Sequence, residues 1–173
     1  MCGLNGLFAY DGPPVDGDEL RRTRDAMTAR GPDGFGEWID EDGRIGFGHR
    51  RLAIVDLTEG GAQPMFSADR KIVVTFNGEI YNFPQLRDEL KARGCVFRSR
   101  SDTEVLIHLY RLYGDDMLPR LRGMFAFGLW DADRRRLLLA RDPYGIKPLY
   151  YADDGASLRF ASSVKALVAG RAI

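Results

Sequence analysis

The chain has 173 residues, 45% hydrophobic and 29% charged, with Lys+Arg and Asp+Glu balanced at 25 each, so the formal net charge is zero. That balance argues against nucleic acid, an anionic membrane surface or a polyanion as the partner. The length suits one domain with a substantial core. No apolar run approaches bilayer-spanning length, and the start MCGLNGLFAYDG lacks the positive charge of a secretory signal. Two cysteines and two histidines supply neither a disulfide framework nor a zinc site. The expectation is a soluble, cytoplasmic domain with no metal and no membrane association.

The segment from Cys2 to Tyr10 reads as a buried strand ending in Asp11-Gly12-Pro13-Pro14. A helix is predicted from about Asp18 to Arg30, with Gly31 placed to cap it and Pro32 forbidding continuation. Its Arg21, Arg22 and Arg24 are expected on an exposed face. Arg44 to Arg50 and Lys71 to Phe76 are β-rich. Asn82 is placed to cap a helix that buries Leu86 and Leu90 and stops at Gly94. Ser101-Asp102-Thr103-Glu104 has the spacing of a capping box, opening a helix with Val105, Leu106, Leu109 and Leu112 on one face and Gly114 at its end.

From Gly123 onward the pattern is mostly β: GMFAFGLWD, RLLLARD, PLYYA and LRFAS. The first is apolar at both parities, with Met124, Ala126 and Trp130 on one face and Phe125, Phe127 and Leu129 on the other. Such a strand must be covered on both sides. Helices and mostly antiparallel strands segregate, which predicts an α+β layered domain of two packed sheets with helices outside. Arg134-Arg135-Arg136 reads as a solvated turn, and His108 and Cys95 as structural.

Cys2 carries the most specific chemistry. Excision of the initiator methionine before a small residue would place a thiol and a free α-amine on one residue. An α-amine has an unperturbed pKa of about 7.7–8.0, so it can take the thiol proton and later return one to a leaving group. Asn77-Gly78 follows the apolar strand IVVTF, where a side-chain amide and a glycine N–H can point at one oxygen, the donor pair that an oxyanion needs. Arg51 follows a strand and can fork onto a carboxylate. Asp102 can hold an ammonium group while sitting at a helix start.

These residues lie in the stretches MCGLNG, ARGPDG, GHRRLAIVDL, GAQPM, FNGEIYN, SDTEV, GMFAFGLWD, RDPYGIKPLYY and FASSVKAL. Together they resemble the N-terminal glutaminase domain of the glutamine-hydrolysing asparagine synthetases, class II amidotransferases of the N-terminal-nucleophile hydrolase superfamily. The resemblance implies a four-layer αββα sandwich. It implies Cys2 as nucleophile with its own amine as base, Asn77 and Gly78 as the oxyanion hole, and Arg51 on the α-carboxylate of L-glutamine. Asp102 and Glu79 would take the α-ammonium, with Leu52, Ile54, Val55 and Ser101 completing the pocket. ATP and Mg are expected only in a synthetase domain, which this chain lacks and which would act in cis or in trans; a homodimer is compatible with the pattern. Ser163 departs from the family, whose last motif usually reads Phe-Ala-Ser-Glu, and so leaves open a related acceptor in place of aspartate. The alternative is a non-catalytic lobe serving as an interface or regulatory element.

Overall fold

A computed structural model describes residues 1–54 and 56–171. In chain order the elements are β1 (Gly3–Ala9), α1 (Gly17–Asp25), β2 (Gly34–Ile39), β3 (Ile45–Arg51), β4 (Met65–Phe66), β5 (Ile72–Ile80), α2 (Phe83–Ala92), α3 (Thr103–Tyr113), β6 (Gly123–Asp131), β7 (Arg136–Arg141), β8 (Tyr150–Asp153), β9 (Ser157–Ala161) and α4 (Val164–Gly170), with short 3-10 turns at Glu59–Gly61 and Gly114–Arg120. One sheet has the order β2-β3-β1-β9-β8 and the other β4-β5-β6-β7, and all described pairings are antiparallel.

Strand alternation divides the core into three slabs. Leu4, Ile45, Phe47, Val73, Ala126, Trp130 and Phe160 fill the seam between the sheets. Ile72, Val74, Phe76, Phe125, Phe127 and Leu129 pack the outer face of the second sheet under α2 and α3. Met27, Ala161, Ala166 and Leu167 join α1 and α4 to the first sheet. The result is the four-layer αββα sandwich. The two faces of β6 separate as its dual parity requires, one into the seam and one under the helices. Each buried side chain of Leu or Phe size contributes about 1.5–3 kcal/mol, so both faces of β6 are needed to hold the layers together.

Several local expectations are corrected. Helix α1 starts where Asp16 accepts from the Asp18 N–H at 2.8 Å, but it ends at Asp25 instead of Arg30. Beyond it the chain tightens into i→i+3 bonds (Met27 to Arg24, Arg30 to Met27), and the Thr28 hydroxyl donates to the Asp25 carbonyl at 2.7 Å, competing with helix continuation. Gly31 is therefore no helix cap. It is needed because a Cβ there would lie 2.3 Å from the Arg50 carbonyl carbon. Arg24 is buried, not exposed, and is paired with Asp25 and Glu37.

Asn82 stands at the start of α2 without capping it through its side chain. Its amide instead donates to the Arg120 carbonyl at 3.0 Å and accepts from the Arg122 N–H at 2.9 Å, tying α2 to the segment before β6. The reciprocal capping box at α3 does not form either. Glu104 turns back to accept from the N–H groups of Arg98 and Ser99, both at 2.8 Å, while the Ser101 hydroxyl accepts from the Thr103 N–H at 3.2 Å. Strands β2 and β4 and helix α4 also lie outside the expected elements.

Candidate active site

Antiparallel pairing of β1 with β3, in the register Gly3↔Arg50, brings Cys2 beside Arg51 and Leu52 at the mouth of the seam. The Leu52 N–H donates to the Cys2 sulfur at 3.3 Å, and the thiol lies 3.6 Å from the Leu52 carbonyl oxygen. Two residues of the ARGPDG stretch hold this corner: Arg30 Nε donates to the Cys2 carbonyl at 3.1 Å, and Asp33 accepts from the Ala53 N–H at 2.9 Å. The seam below is polar as well. The imidazole of His49 is fully buried against Thr75, with Nδ1 3.2 Å from the Thr75 hydroxyl, and burial, aided by the nearby Arg51 charge, pushes its pKa down to about 3.

Asn77 and Gly78 do not follow the strand. They lie within β5, opposite Ala126 and Phe125 of β6. Alternation sends Phe76 and Ile80 toward the helices and turns Asn77 the other way, into the cleft. The Asn77 side chain is buried, and its Nδ2 has no hydrogen-bond partner among the described residues. An unsatisfied buried amide donor carries a desolvation cost of about 1–3 kcal/mol, which an acceptor in the cleft would relieve. Gly78 is required sterically: a Cβ would stand 2.3 Å from the Met124 carbonyl oxygen and 2.7 Å from Phe125 Cα.

The start of α3 meets the same strand. Asp102 is buried and accepts from the Ile80 N–H at 3.0 Å. Burial raises its pKa and the neighbouring Glu79 charge adds to the rise, while the Ile80 N–H pulls the other way. Across the cleft, one terminal nitrogen of Arg51 donates to the Asp56 carbonyl and, at 3.0 Å, to the Thr58 carbonyl, which fixes the guanidinium in place. Asp56 is held ionised, its pKa lowered chiefly by the Thr58 hydroxyl.

One cleft is lined by Cys2, Arg51, Leu52, Ile54, Asn77, Gly78, Glu79, Ser101 and Asp102 together. Val55 lies outside the described residues. The Ser101 hydroxyl is engaged by Thr103, 3.0 Å from that residue's Oγ1, so helix start is its evident task. Met1 also borders the cleft, 53% exposed, and with Met1 in place the Cys2 nitrogen is a peptide nitrogen.

Gln63, Asp56, Thr103, Met124 and Lys147 line the cleft as well, and sequence reasoning did not single them out. Gln63 had a usable signal in the GAQPM stretch: its Oε1 accepts from the Phe76 N–H at 2.6 Å, clamping the strand that carries Asn77. Lys147 likewise lies in the RDPYGIKPLYY stretch, but the burial of a lysine is not written in its neighbours. The arrangement sets a thiol and an unsatisfied amide donor at one place, with a fixed guanidinium and buried carboxylates within the same small cleft. It can receive a small zwitterion and attack a carbonyl carbon on it.

Comparison with known proteins agrees with this geometry. Residues 1–173 match the family described as glutamine amidotransferase domain. The chain is 45% identical over 171 residues to "Asparagine synthetase [glutamine-hydrolyzing] 1" of Bacillus subtilis (strain 168), covering 97% of this chain and 27% of that protein. It is 39% identical over 183 residues to "Amidase chry2" of Gibberella zeae, covering 98% of this chain and 26% of that protein. The chain thus spans about a quarter of the length of these curated relatives. A solved structure, the glutamine phosphoribosylpyrophosphate amidotransferase of B. subtilis in complex with ADP and GMP, superposes with a TM-score of 0.82 at 23% identity, covering 98% of this chain and 44% of that one, and so shares the fold. The chain belongs to the glutamine amidotransferase domain family.

Proposed function

We propose that the domain hydrolyses L-glutamine to glutamate and ammonia, and that the ammonia serves an ATP-dependent amidation by a synthetase domain in cis or in trans. The acceptor is aspartate or a related carboxylic acid. After removal of Met1, the free α-amine of Cys2 takes the thiol proton, and the sulfur attacks the side-chain amide carbon. The amide oxygen becomes an oxyanion held by the Asn77 side chain and the Gly78 N–H. Collapse breaks the C–N bond, and the nitrogen leaves as ammonia with the proton carried by the Cys2 amine. Water then attacks the γ-glutamyl thioester, the amine accepting its proton, and release of glutamate regenerates the thiol. Arg51 receives the α-carboxylate, and Asp102 with Glu79 the α-ammonium.

The observation that carries this reading is the orphaned Asn77 Nδ2 in the same cleft as the Cys2 sulfur. The test is intact mass of the purified chain before and after a diazoketone analogue of glutamine, alongside glutamate release. Loss of methionine, one adduct on Cys2, and glutamate release abolished by Cys2→Ala support the reading. A chain that keeps Met1 and takes no adduct is the non-catalytic lobe instead. The proposed location is the cytoplasm; among the described residues no helix is long and apolar enough to cross a membrane.

A further inference from the structure

Lys147 is the only buried lysine among the described residues, 6% exposed, and it lines the cleft with Cys2, Asn77 and Gly78. Its ammonium makes no hydrogen bond or ion pair with any described residue. Glu79 and Asp102 border the same cleft, yet neither comes within ion-pair distance of it. The buried arginine, Arg24, is by contrast paired twice. An unpaired cation lining a cleft can pair with an anion that arrives with the ligand or forms on it.

The position is constructed. Asp142, itself buried, accepts from the N–H groups of Phe125, Tyr144, Ile146 and Lys147 at 3.2, 3.1, 2.9 and 3.0 Å. The Asp142 N–H in turn donates to the Phe125 carbonyl at 2.8 Å. The loop from Asp142 to Lys147 is thereby bolted to Phe125, the residue opposite Gly78 in the β5–β6 ladder. Lys147 lines the cleft together with Asn77 and Gly78, whereas Arg51 is tied to the carbonyls of Asp56 and Thr58. With Arg51 fixed there, the Lys147 ammonium is left for the charge at the reacting end of the substrate.

We propose that Lys147 is a catalytic residue whose ammonium binds the side-chain amide oxygen of glutamine as it becomes negative, and then the γ-carboxylate of the glutamate formed. The inference rests on the glutaminase reading and deepens it. Both tetrahedral adducts, of sulfur on the amide and of water on the thioester, place one negative charge on that oxygen. Asn77 and Gly78 offer it neutral donors, and a charge-assisted bond is roughly twice as strong as a neutral one. The same lysine makes product glutamate, which carries a full charge there, bind better than neutral glutamine.

The test is steady-state glutaminase kinetics of the Met1-processed chain, with inhibition by glutamate, for wild type, Lys147→Met, Lys147→Gln and Lys147→Arg. The expected result for Met and Gln is kcat lower by about tenfold or more, KM for glutamine within about threefold, and inhibition by glutamate weakened at least as much as kcat. Arginine restores part of both. If either neutral variant keeps kcat within twofold and glutamate inhibition unchanged, the assignment is overturned. It is equally overturned if kcat falls while glutamate inhibition stays and arginine rescues nothing, since the lysine is then only a spacer; the glutamine variant decides the matter should the methionine variant not fold. A wild-type chain that neither releases glutamate nor takes the diazoketone adduct removes the glutaminase reading and the lysine assignment with it.

Discussion

The Asp102 carboxylate accepts the Ile80 N–H at 3.0 Å, so the start of α3 is fastened to the strand that carries Asn77 and Gly78. The buried carboxylate and the Asn77 and Gly78 donors are thereby held in one frame. Asp102 is the first helix-flanking residue, yet it makes no side-chain capping bond; its carboxylate is directed to the strand and the cleft.

Asp102→Asn keeps an acceptor for the Ile80 N–H and removes only the charge. The expected outcome is a rise in KM for glutamine of about tenfold or more, from loss of one charge-assisted bond, with the melting temperature little changed. Because burial raises the Asp102 pKa, glutamine binding by the parent should weaken as pH falls toward a value above the usual carboxylate range. The variant should lack that limb. A parent limb at an ordinary carboxylate pKa, or an unchanged limb in the variant, would contradict the assignment.

Asn77→Ala removes one donor of the proposed oxyanion hole. It should lower kcat by about a hundredfold or more while the Cys2 adduct with the glutamine analogue still forms slowly. Full turnover in this variant would remove Asn77 from the reaction.

Gly78→Ala forces a methyl into the Met124 carbonyl and Phe125 Cα. The ladder must spread, at a cost of about 1–3 kcal/mol, read as a drop in thermal midpoint of about 2–4 °C per kcal/mol for a domain of this size. Activity should fall with it, because the displaced N–H leaves the proposed oxyanion position. A variant with wild-type melting and turnover would show that the close approach is relieved elsewhere.

His49 sets a pH dependence of stability. Its pKa is depressed from 6.5 to about 3 in the fold, so between those values the unfolded chain binds the extra proton. This contribution is fully present above pH about 6.5 and is lost at about 1.4 kcal/mol per pH unit as pH falls toward 3. Urea unfolding at pH 7, 6 and 5 should show the decline in the parent and a flatter profile in His49→Gln. Equal slopes in the two proteins would place the pH dependence in the carboxylates.

That Cys2, Arg51 and the Asn77-Gly78 pair would share one cleft was legible because each residue type is bound to a chemistry, and their motifs are dense in the chain. The dual parity of GMFAFGLWD foretold the four layers for the same reason: a strand cannot leave an apolar face wet. Where local cues misled, tertiary partners had claimed the groups. Glu104 had the spacing of a capping box but took Arg98 and Ser99; Asn82 took Arg120 and Arg122. Strand β2, with Gly34 and Gly36, carries weak β propensity, and Gly36 is there because a Cβ would collide with the Gln63 carbonyl. Lys147 went unassigned because only the folded loop around Asp142 reveals that its side chain is buried at the cleft.

The alternation of β5 has a last consequence for how this molecule can go wrong. Its even-numbered residues feed the helical layer and Asn77 belongs to the opposite side, so a slip of one position against β6 would turn the amide toward the helices, with Thr75 and Glu79 beside it. Such a species would lack the amide in the cleft and be chemically mute. Assays of folded mass and assays of turnover would therefore disagree for it, and the ratio between them measures how faithfully two neighbouring strands find their alignment.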